Sequence, residues 1–287
     1  MQNGILYVVS TPIGHLADIT YRAVETLQKV DLIAAEDTRH SRPLLQHYGI
    51  TTPVIAYHDH NEEGAGYQLL RRLEEGQQIA MISDAGTPLI RDPGFQLVRE
   101  CHRRNLRVVP IPGPSALLCA LAAAGVAPDR FSFEGFPPRT RNARQEFFRE
   151  LRHASQTVIL YEASHRIMAT LADAITILGP EREAAIGREL TKRHETLLHG
   201  PLEQLQESLR QSPNQRKGEF VLLIAAAPAP PADAIPPDTE QMLTLLLAEL
   251  PLKRACALAA QISGMSKNVL YRRALELNEE PDREVSI

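Results

Sequence analysis

The run from Gln78 to Ile82 ends abruptly in Ser83-Asp84-Ala85-Gly86-Thr87-Pro88-Leu89-Ile90-Arg91-Asp92-Pro93-Gly94, after which an amphipathic helix begins. The design recurs where Val108-Val109-Pro110-Ile111 meets Pro112-Gly113-Pro114-Ser115-Ala116 and a helix rich in Ala and Leu. A strand that breaks in Gly, Pro and small polar residues and restarts as a helix is the βα unit of an open α/β sheet, and the break exposes backbone amides at the strand's carboxyl end. Two such breaks at neighbouring strand ends make two sides of one cleft, suited to a small polar ligand.

Bulk properties set the outer limits. A chain of 287 residues with 44% hydrophobic content is long enough for two cored domains and an appendage. Cys101, Cys119 and Cys256 are too far apart for a disulfide framework or a CxxC metal knuckle, which favours a reducing cytoplasm. Met1 to Gly4 enters a strand without a signal-peptide pattern, and no apolar run approaches the ~18 residues of a membrane span, so a soluble protein is expected. The net charge of −4 does not announce a nucleic-acid binder, and any such role must rest on local clusters. Two exist. Between Pro137 and Ala154, Arg139, Arg141, Arg144, Arg149 and Arg152 outnumber Glu146 and Glu150, with Phe147 and Phe148 among them; between Pro251 and Leu275, Lys253, Arg254, Lys267, Arg272 and Arg273 have no acid beside them. Each reads as a solvated helix face or as a contact to phosphate backbone.

Hydrophobic periodicity predicts alternating strands and helices in the first part of the chain. Strands fall at Ile5 to Val9, Asp31 to Ala35 and Val54 to Tyr57, and helices at Thr20 to Lys29, Ser41 to Tyr48 and Tyr67 to Glu75, before the two cleft strands. From Ala116 the pattern changes. Helices at Ala116 to Ala123, Ala143 to His153 and Arg166 to Ile177 interleave with strands at Arg130 to Glu134, Thr157 to Tyr161, Ala184 to Arg188, Glu195 to His199 and Glu219 to Ala225. Strands adjacent without a helix between them imply antiparallel pairing and a mixed sheet. The expected organisation is an α/β domain over 1–115, a mixed α/β domain over 116–226, a proline-rich linker over 227–238 and a helical tail over 239–287. In the tail, Gly264 can take the positive φ of a tight turn between two helices and Ser266 can cap the second, a helix-turn-helix pattern.

The first loop, Ser10-Thr11-Pro12-Ile13-Gly14-His15-Leu16, has one Gly where a dinucleotide fingerprint needs three, and no Walker lysine follows. No metal set is expected from the histidines of His58-Asp59-His60-Asn61-Glu62. That segment is left as a solvated loop, a substrate contact or a proton handler.

Five motifs, taken in order, carry a resemblance: Val9-Ser10-Thr11-Pro12-Ile13-Gly14 with Leu16 and Asp18-Ile19-Thr20; Ala35-Glu36-Asp37-Thr38-Arg39; His58-Asp59-His60-Asn61-Glu62; Ser83-Asp84-Ala85-Gly86-Thr87-Pro88; and Pro112-Gly113-Pro114-Ser115-Ala116. The chain resembles the tetrapyrrole methylase superfamily from residue 5 to about 225, and within it the members that 2′-O-methylate a cytidine in the decoding region of small-subunit ribosomal RNA. The tail is similar to their C-terminal helical domain. The resemblance implies a two-domain tetrapyrrole-methylase-like α/β fold with S-adenosylmethionine in the cleft between the domains, a homodimer, and small-subunit ribosomal RNA as partner. Pro12, Ile13 and Gly14 would line the cofactor. Ala85, Gly86 and Thr87 would meet its methionine part, with Ile90 beneath and Ser115 and Ala116 opposite. Tyr161 and Glu162 would lie where the second domain's central strand meets the adenosine, and Leu190 at a further backbone contact. Where porphyrinoid-modifying members read Gly-Asp-Pro, this chain reads Gly86-Thr87-Pro88, a departure that agrees with a different substrate.

Other roles stay open at this level. Asp84 reads as a turn cap or as a catalytic base beside His58 and His60, and Glu36-Asp37-Thr38-Arg39 as a helix N-cap with a salt bridge or as part of the site. Arg139, Arg141 and Arg144, with Lys253, Arg254, Lys267, Arg272 and Arg273, would hold the RNA backbone. Two rival readings are a porphyrinoid methylase of the same fold and a non-catalytic RNA-binding module built on the tail.

Overall fold

The computed structural model describes residues 4–228 and 235–279. The chain divides into two compact units at Ala227 and Pro228, and the proline-rich stretch from 229 to 234 lies outside the described residues.

The first half of unit one alternates strictly: β1 (Ile5–Val9), α1 (Tyr21–Lys29), β2 (Leu32–Ala35), α2 (Thr38–His47), β3 (Val54–Ala56), α3 (Glu62–Glu74), β4 (Ile79–Ile82), α4 (Phe95–Arg103) and β5 (Arg107–Ile111). The strands form one sheet in the order β3-β2-β4-β1-β5, every pair parallel. Every residue of β2 and β4 is buried. Unbroken apolar runs of this kind suit strands covered on both faces by crossover helices. One face packs Leu6, Leu69, Leu73, Met81 and Leu97, and the other packs Val9, Ala23, Leu27, Ile33 and Ile82. Because all the strands point the same way, all their C-terminal loops emerge at one edge.

The second half holds α5 (Ala116–Ala123), β6 (Phe131–Gly135), α6 (Arg141–Glu150), β7 (Thr157–Ala163), α7 (Ile167–Leu178), β8 (Glu183–Arg188), β9 (Thr196–Pro201), α8 (Leu202–Gln211) and β10 (Glu219–Ile224). Its sheet runs β6-β7-β10-β8-β9, parallel only between β6 and β7. The last strand is therefore the central one, and β7, expected at the centre, is its neighbour. The reason is topological: antiparallel β10 can insert between β7 and β8 and pair with both. Leu117, Ala120 and Leu121 of α5 cover one face of the sheet, and Phe148, Leu171 and Leu205 the other.

Two helix starts and one whole helix differ most from expectation. Helix α2 begins three residues early, because the Asp37 side chain caps it by accepting from Arg39 N at 2.8 Å. Helix α3 begins at Glu62 rather than Tyr67; Gly64 and Gly66, at about 1 kcal/mol each against helix, mask a turn held by Asn61, whose carbonyl accepts from Ala65 N. Helix α8 was not anticipated, although Leu202, Leu205 and Leu209 recur on its buried face.

The second unit packs α9 (Pro237–Glu249), α10 (Leu252–Ser263) and α11 (Lys267–Glu279) around Leu243, Cys256, Ala259, Leu270 and Ala274. Gly264 ends α10 in the left-handed conformation, φ 72°, where a residue without Cβ is least strained.

Candidate functional site

At the carboxyl edge of the first sheet, three loops are knitted together. Thr11 N donates to Gly86 O at 2.8 Å and Gly86 N returns the bond to Thr11 O at 3.0 Å. Ser10 Oγ and Thr87 Oγ1 are 3.0 Å apart, and Thr87 Oγ1 donates to Pro114 O at 3.1 Å. The loops after β1, β4 and β5 thus share one hydrogen-bonded framework. Gly86 has φ +84°, and a Cβ there would meet Ile13 Cγ2 at 3.3 Å. A side chain would be strained and would also fill the approach to the cleft.

Above this framework, between the two sheets, lies a cavity of about 450 Å³, within the ordinary range for a small-molecule site. Of the residues expected to meet the cofactor, Ile13, Ala85, Gly86, Thr87, Ile90, Ser115, Ala116, Tyr161, Glu162 and Leu190 line it. Pro12 and Gly14 do not. Gly14 instead faces the Lys192 side chain and Thr191 Oγ1 of the second sheet, so its role is to let the two halves approach.

Two contacts join the halves on either side of the cavity. On one side, Arg91 Nη2 donates to Glu134 O at 2.8 Å, and the guanidinium lies so close to Gly135 that any Cβ there would collide with it. On the other, His15 N donates to Thr191 Oγ1 at 3.2 Å. Of the five non-glycine residues with positive φ among the described residues, four are in these loops: Leu89 and Arg91, both 72°, and Glu189 and Thr191, 48° and 63°. Backbone in this region costs a side-chain-bearing residue about 1 kcal/mol or more and persists where the surroundings enforce it.

The sequence-level candidates for proton transfer fall outside the cavity. Asp84 Oδ1 accepts from Asp37 N at 3.1 Å, and Asp84 N donates to Glu36 Oε2 at 3.3 Å, so Asp84 is a brace between the loops after β2 and β4. His58 and His60 stack edge to face with ring centroids 6.0 Å apart, neither lines the cavity, and His58 Nδ1 is buried without a hydrogen-bond partner among the described residues. Asp37 caps α2 and pairs with Arg39, whose hydrogen bonds hold its carboxyl down at about 2.

Sequence reasoning missed Arg91, Asp92, Phe136, Gly187, Lys192 and Val221 in the lining. Asp92 sits inside the loop after β4, but Arg91-Asp92-Pro93-Gly94 looks like turn chemistry, which hides it in the sequence. Burial raises the Asp92 carboxyl to about 6; the Ser83 hydroxyl opposes the rise, and Glu36, Asp84 and Asp59 add to it. Glu36 is also raised, chiefly by burial. Lys192 Nζ is held by Glu189 at 3.1 Å and Glu219 at 2.7 Å.

The basic clusters need correction. Arg144 is 5% exposed and its guanidinium grips Asp173 at 2.6 Å, with Gln145 donating to the same carboxylate. It is a structural ion pair between α6 and α7 and cannot reach a phosphate. Arg139 and Arg141 are exposed. In the second unit Arg273 is engaged by Glu240 of α9 at 2.5 Å and by Glu276 at 2.8 Å, acids that lie beyond the segment from which the cluster was read. Lys253, Arg254, Lys267 and Arg272 are exposed.

Residues 5–206 match the family described as Tetrapyrrole (Corrin/Porphyrin) Methylases, the span that holds both sheets except β10. The chain belongs to the tetrapyrrole methylase family. Residues 233–278 match a second description, RsmI C-terminal HTH domain, on the helices of the second unit. This methylase is 51% identical over 273 residues to a protein of Escherichia coli O157:H7 named ribosomal RNA small subunit methyltransferase I, covering 95% of each chain. Among solved structures it is similar in fold to diphthine synthase, TM-score 0.60 at 15% identity over 78% of this chain and 90% of that one. It is also similar in fold to a uroporphyrin-III C-methyltransferase from Thermus thermophilus complexed with S-adenosyl homocysteine, TM-score 0.53 at 18% identity over 77% and 97%. Among the described residues no helix is long and apolar enough to cross a membrane, and no group of three or more His, Cys, Asp or Glu is placed to hold a metal.

Proposed function

We propose that this methylase transfers a methyl group to the 2′-hydroxyl of a cytidine in the decoding region of small-subunit ribosomal RNA, acting as a cytoplasmic homodimer. The observation that carries the reading is identity of 51% across 95% of both chains to a relative named for small-subunit ribosomal RNA, spanning cavity and helical unit alike. S-adenosylmethionine is the methyl donor; when bound it supplies a methyl carbon on a sulfonium, an already activated leaving group.

The cavity fits such a donor on its own chemistry. Ala85, Gly86, Ser115 and Ala116 bring small side chains and backbone to one wall, and Ile13, Ile90 and Leu190 offer apolar surface for a base. The protein's own contribution to rate is placement: a hydroxyl held in line with the methyl carbon needs little covalent help. Arg139, Arg141, Lys253, Arg254, Lys267 and Arg272 are exposed cations suited to flanking phosphates. The deciding experiment maps ribose methylation of small-subunit RNA from cells with and without the gene, alongside methyl transfer in vitro to small subunits and to uroporphyrinogen. A ribose methyl on one cytidine that vanishes with the gene is the expected result; transfer to the porphyrinoid alone would replace this reading with its rival.

A further inference from the structure

Methylation of a ribose hydroxyl, the reading on which this inference rests, leaves one proton to be placed. Among the described residues lining the cavity, three are carboxylates: Asp92, Glu162 and Glu219. Glu162 is turned into the second half, accepting from Thr170 Oγ1 at 2.5 Å and from Ala163 N at 2.8 Å, with Arg166 at 3.4 Å. Glu219 is bound by Lys192 at 2.7 Å and is otherwise exposed. Asp92 has no ion pair among those the structure shows. It also follows directly on Arg91, whose left-handed backbone and contact with Glu134 O hold the loop in a conformation its residue types oppose. Strain held in place beside a cavity points to function.

We propose that Asp92 is the catalytic base of this methylase. As the ribose oxygen bonds to the methyl carbon, its proton passes to the Asp92 carboxylate, and the electron pair of the broken S–C bond stays on the sulfur of the departing S-adenosylhomocysteine. The proton then leaves to solvent. The groups facing Asp92 are consistent with this work. The Ser83 hydroxyl favours its charged form; Glu36, Asp84 and Asp59, from the loops after β2, β4 and β3, disfavour it; Arg91 and Lys192 are the cations of the cavity, with Tyr161 across from it. A carboxyl raised to about 6 by burial is ionised at pH 7 and is a stronger base than an ordinary carboxylate.

The test uses the full chain and small subunits isolated from cells lacking the enzyme. Single-turnover methyl transfer is followed from pH 5 to 9, with S-adenosylhomocysteine affinity measured by calorimetry and the product's methyl located by mass spectrometry. The wild-type rate should rise about tenfold per pH unit up to about 6 and then level. Asp92→Asn should lose on the order of 10²-fold or more in rate and the inflection with it, while S-adenosylhomocysteine affinity stays within about threefold. Asp92→Glu, which keeps a carboxylate, should keep an inflection even if slowed. An Asp92→Asn enzyme with the wild-type rate, or a slow one whose inflection is intact, overturns the assignment of Asp92 alone. A wild-type product methylated on a base overturns the ribose reading, and the proton assignment falls with it.

Discussion

The two sheets of the first unit reach the same cavity by different means. The parallel sheet presents residues beyond its strand ends, such as Gly86, Thr87, Asp92 and Ser115, whereas the mixed sheet presents residues mostly within its strands, Tyr161, Glu162 and Ala163 on β7, Gly187 on β8 and Val221 on β10, joined by Phe136, Leu190 and Lys192 from the loops after β6 and β8. Parallel strands deliver every loop to one edge, so side chains and amides of distant sequence converge there, with Leu89 and Arg91 held in left-handed backbone. A mixed sheet sends its loops to both edges and offers a flat face instead. The lesson is a division of labour: loop backbone for grip and chemistry, strand face for shape.

That contrast can be broken by substitution. Gly86→Val should have the largest effect, a loss of S-adenosylhomocysteine affinity of at least about 100-fold by calorimetry, because it strains φ +84° and crowds Ile13 in the loop framework. A variant that binds normally would mean the loop edge does not carry the grip. Arg144→Ala is the mirror image. It removes the buried cation beside Asp173, buried to the same degree and left with Gln145 and the exposed Arg141, and should cost about 3 kcal/mol of stability in a denaturant titration, with cofactor affinity retained. Arg141→Ala, at an ion pair whose arginine is 75% exposed, should stay within about 0.5 kcal/mol. Equal losses from the two arginines would remove the distinction between buried and exposed members of the cluster. Gly187→Ala, on the strand face, should weaken S-adenosylhomocysteine by only about tenfold. The added methyl would meet Leu190 Cδ1 at 3.1 Å, the far end of a side chain that can turn aside. A loss matching that of Gly86→Val would make both sheets equally exacting. The smallest effect should come from ending the chain after Pro228, where the two units divide: thermal melting of unit one and its S-adenosylhomocysteine affinity should both survive, and a truncation that aggregates unfolded would show that the first unit cannot stand alone.

Much of this was legible in the chain. The apolar strands of the first sheet, their Gly/Pro breaks and the glycine of the tail turn follow from local pattern, because strand burial and turn geometry leave periodic and positional marks. Ten of the expected lining residues, from Ile13 to Leu190, meet in one cavity: seven because a parallel sheet leaves its loops nowhere else to go, and Tyr161, Glu162 and Leu190 because the second sheet faces that edge. Charge was less readable. Arg139, Arg141 and Arg144 are alike in a charge count, yet helical geometry turns Arg144 inward to Asp173, which is 29 residues away. Arg273 looked unopposed until Glu240, 33 residues earlier, was brought against it by the packing of α9 on α11.

By itself the sequence determined the alternation of strands and helices, the parallel first sheet and the loops that would form a cleft, since these depend on the preferences of neighbouring residues. Only the tertiary structure decided that β10 takes the centre of the second sheet, that Asp84 braces two loops while Asp92 lines the cavity, and that left-handed residues at 89, 91, 189 and 191 flank the cleft. Each of these depends on partners far away in the chain, and pairing across such distances is settled by packing and by the satisfaction of buried polar groups, which no local pattern records.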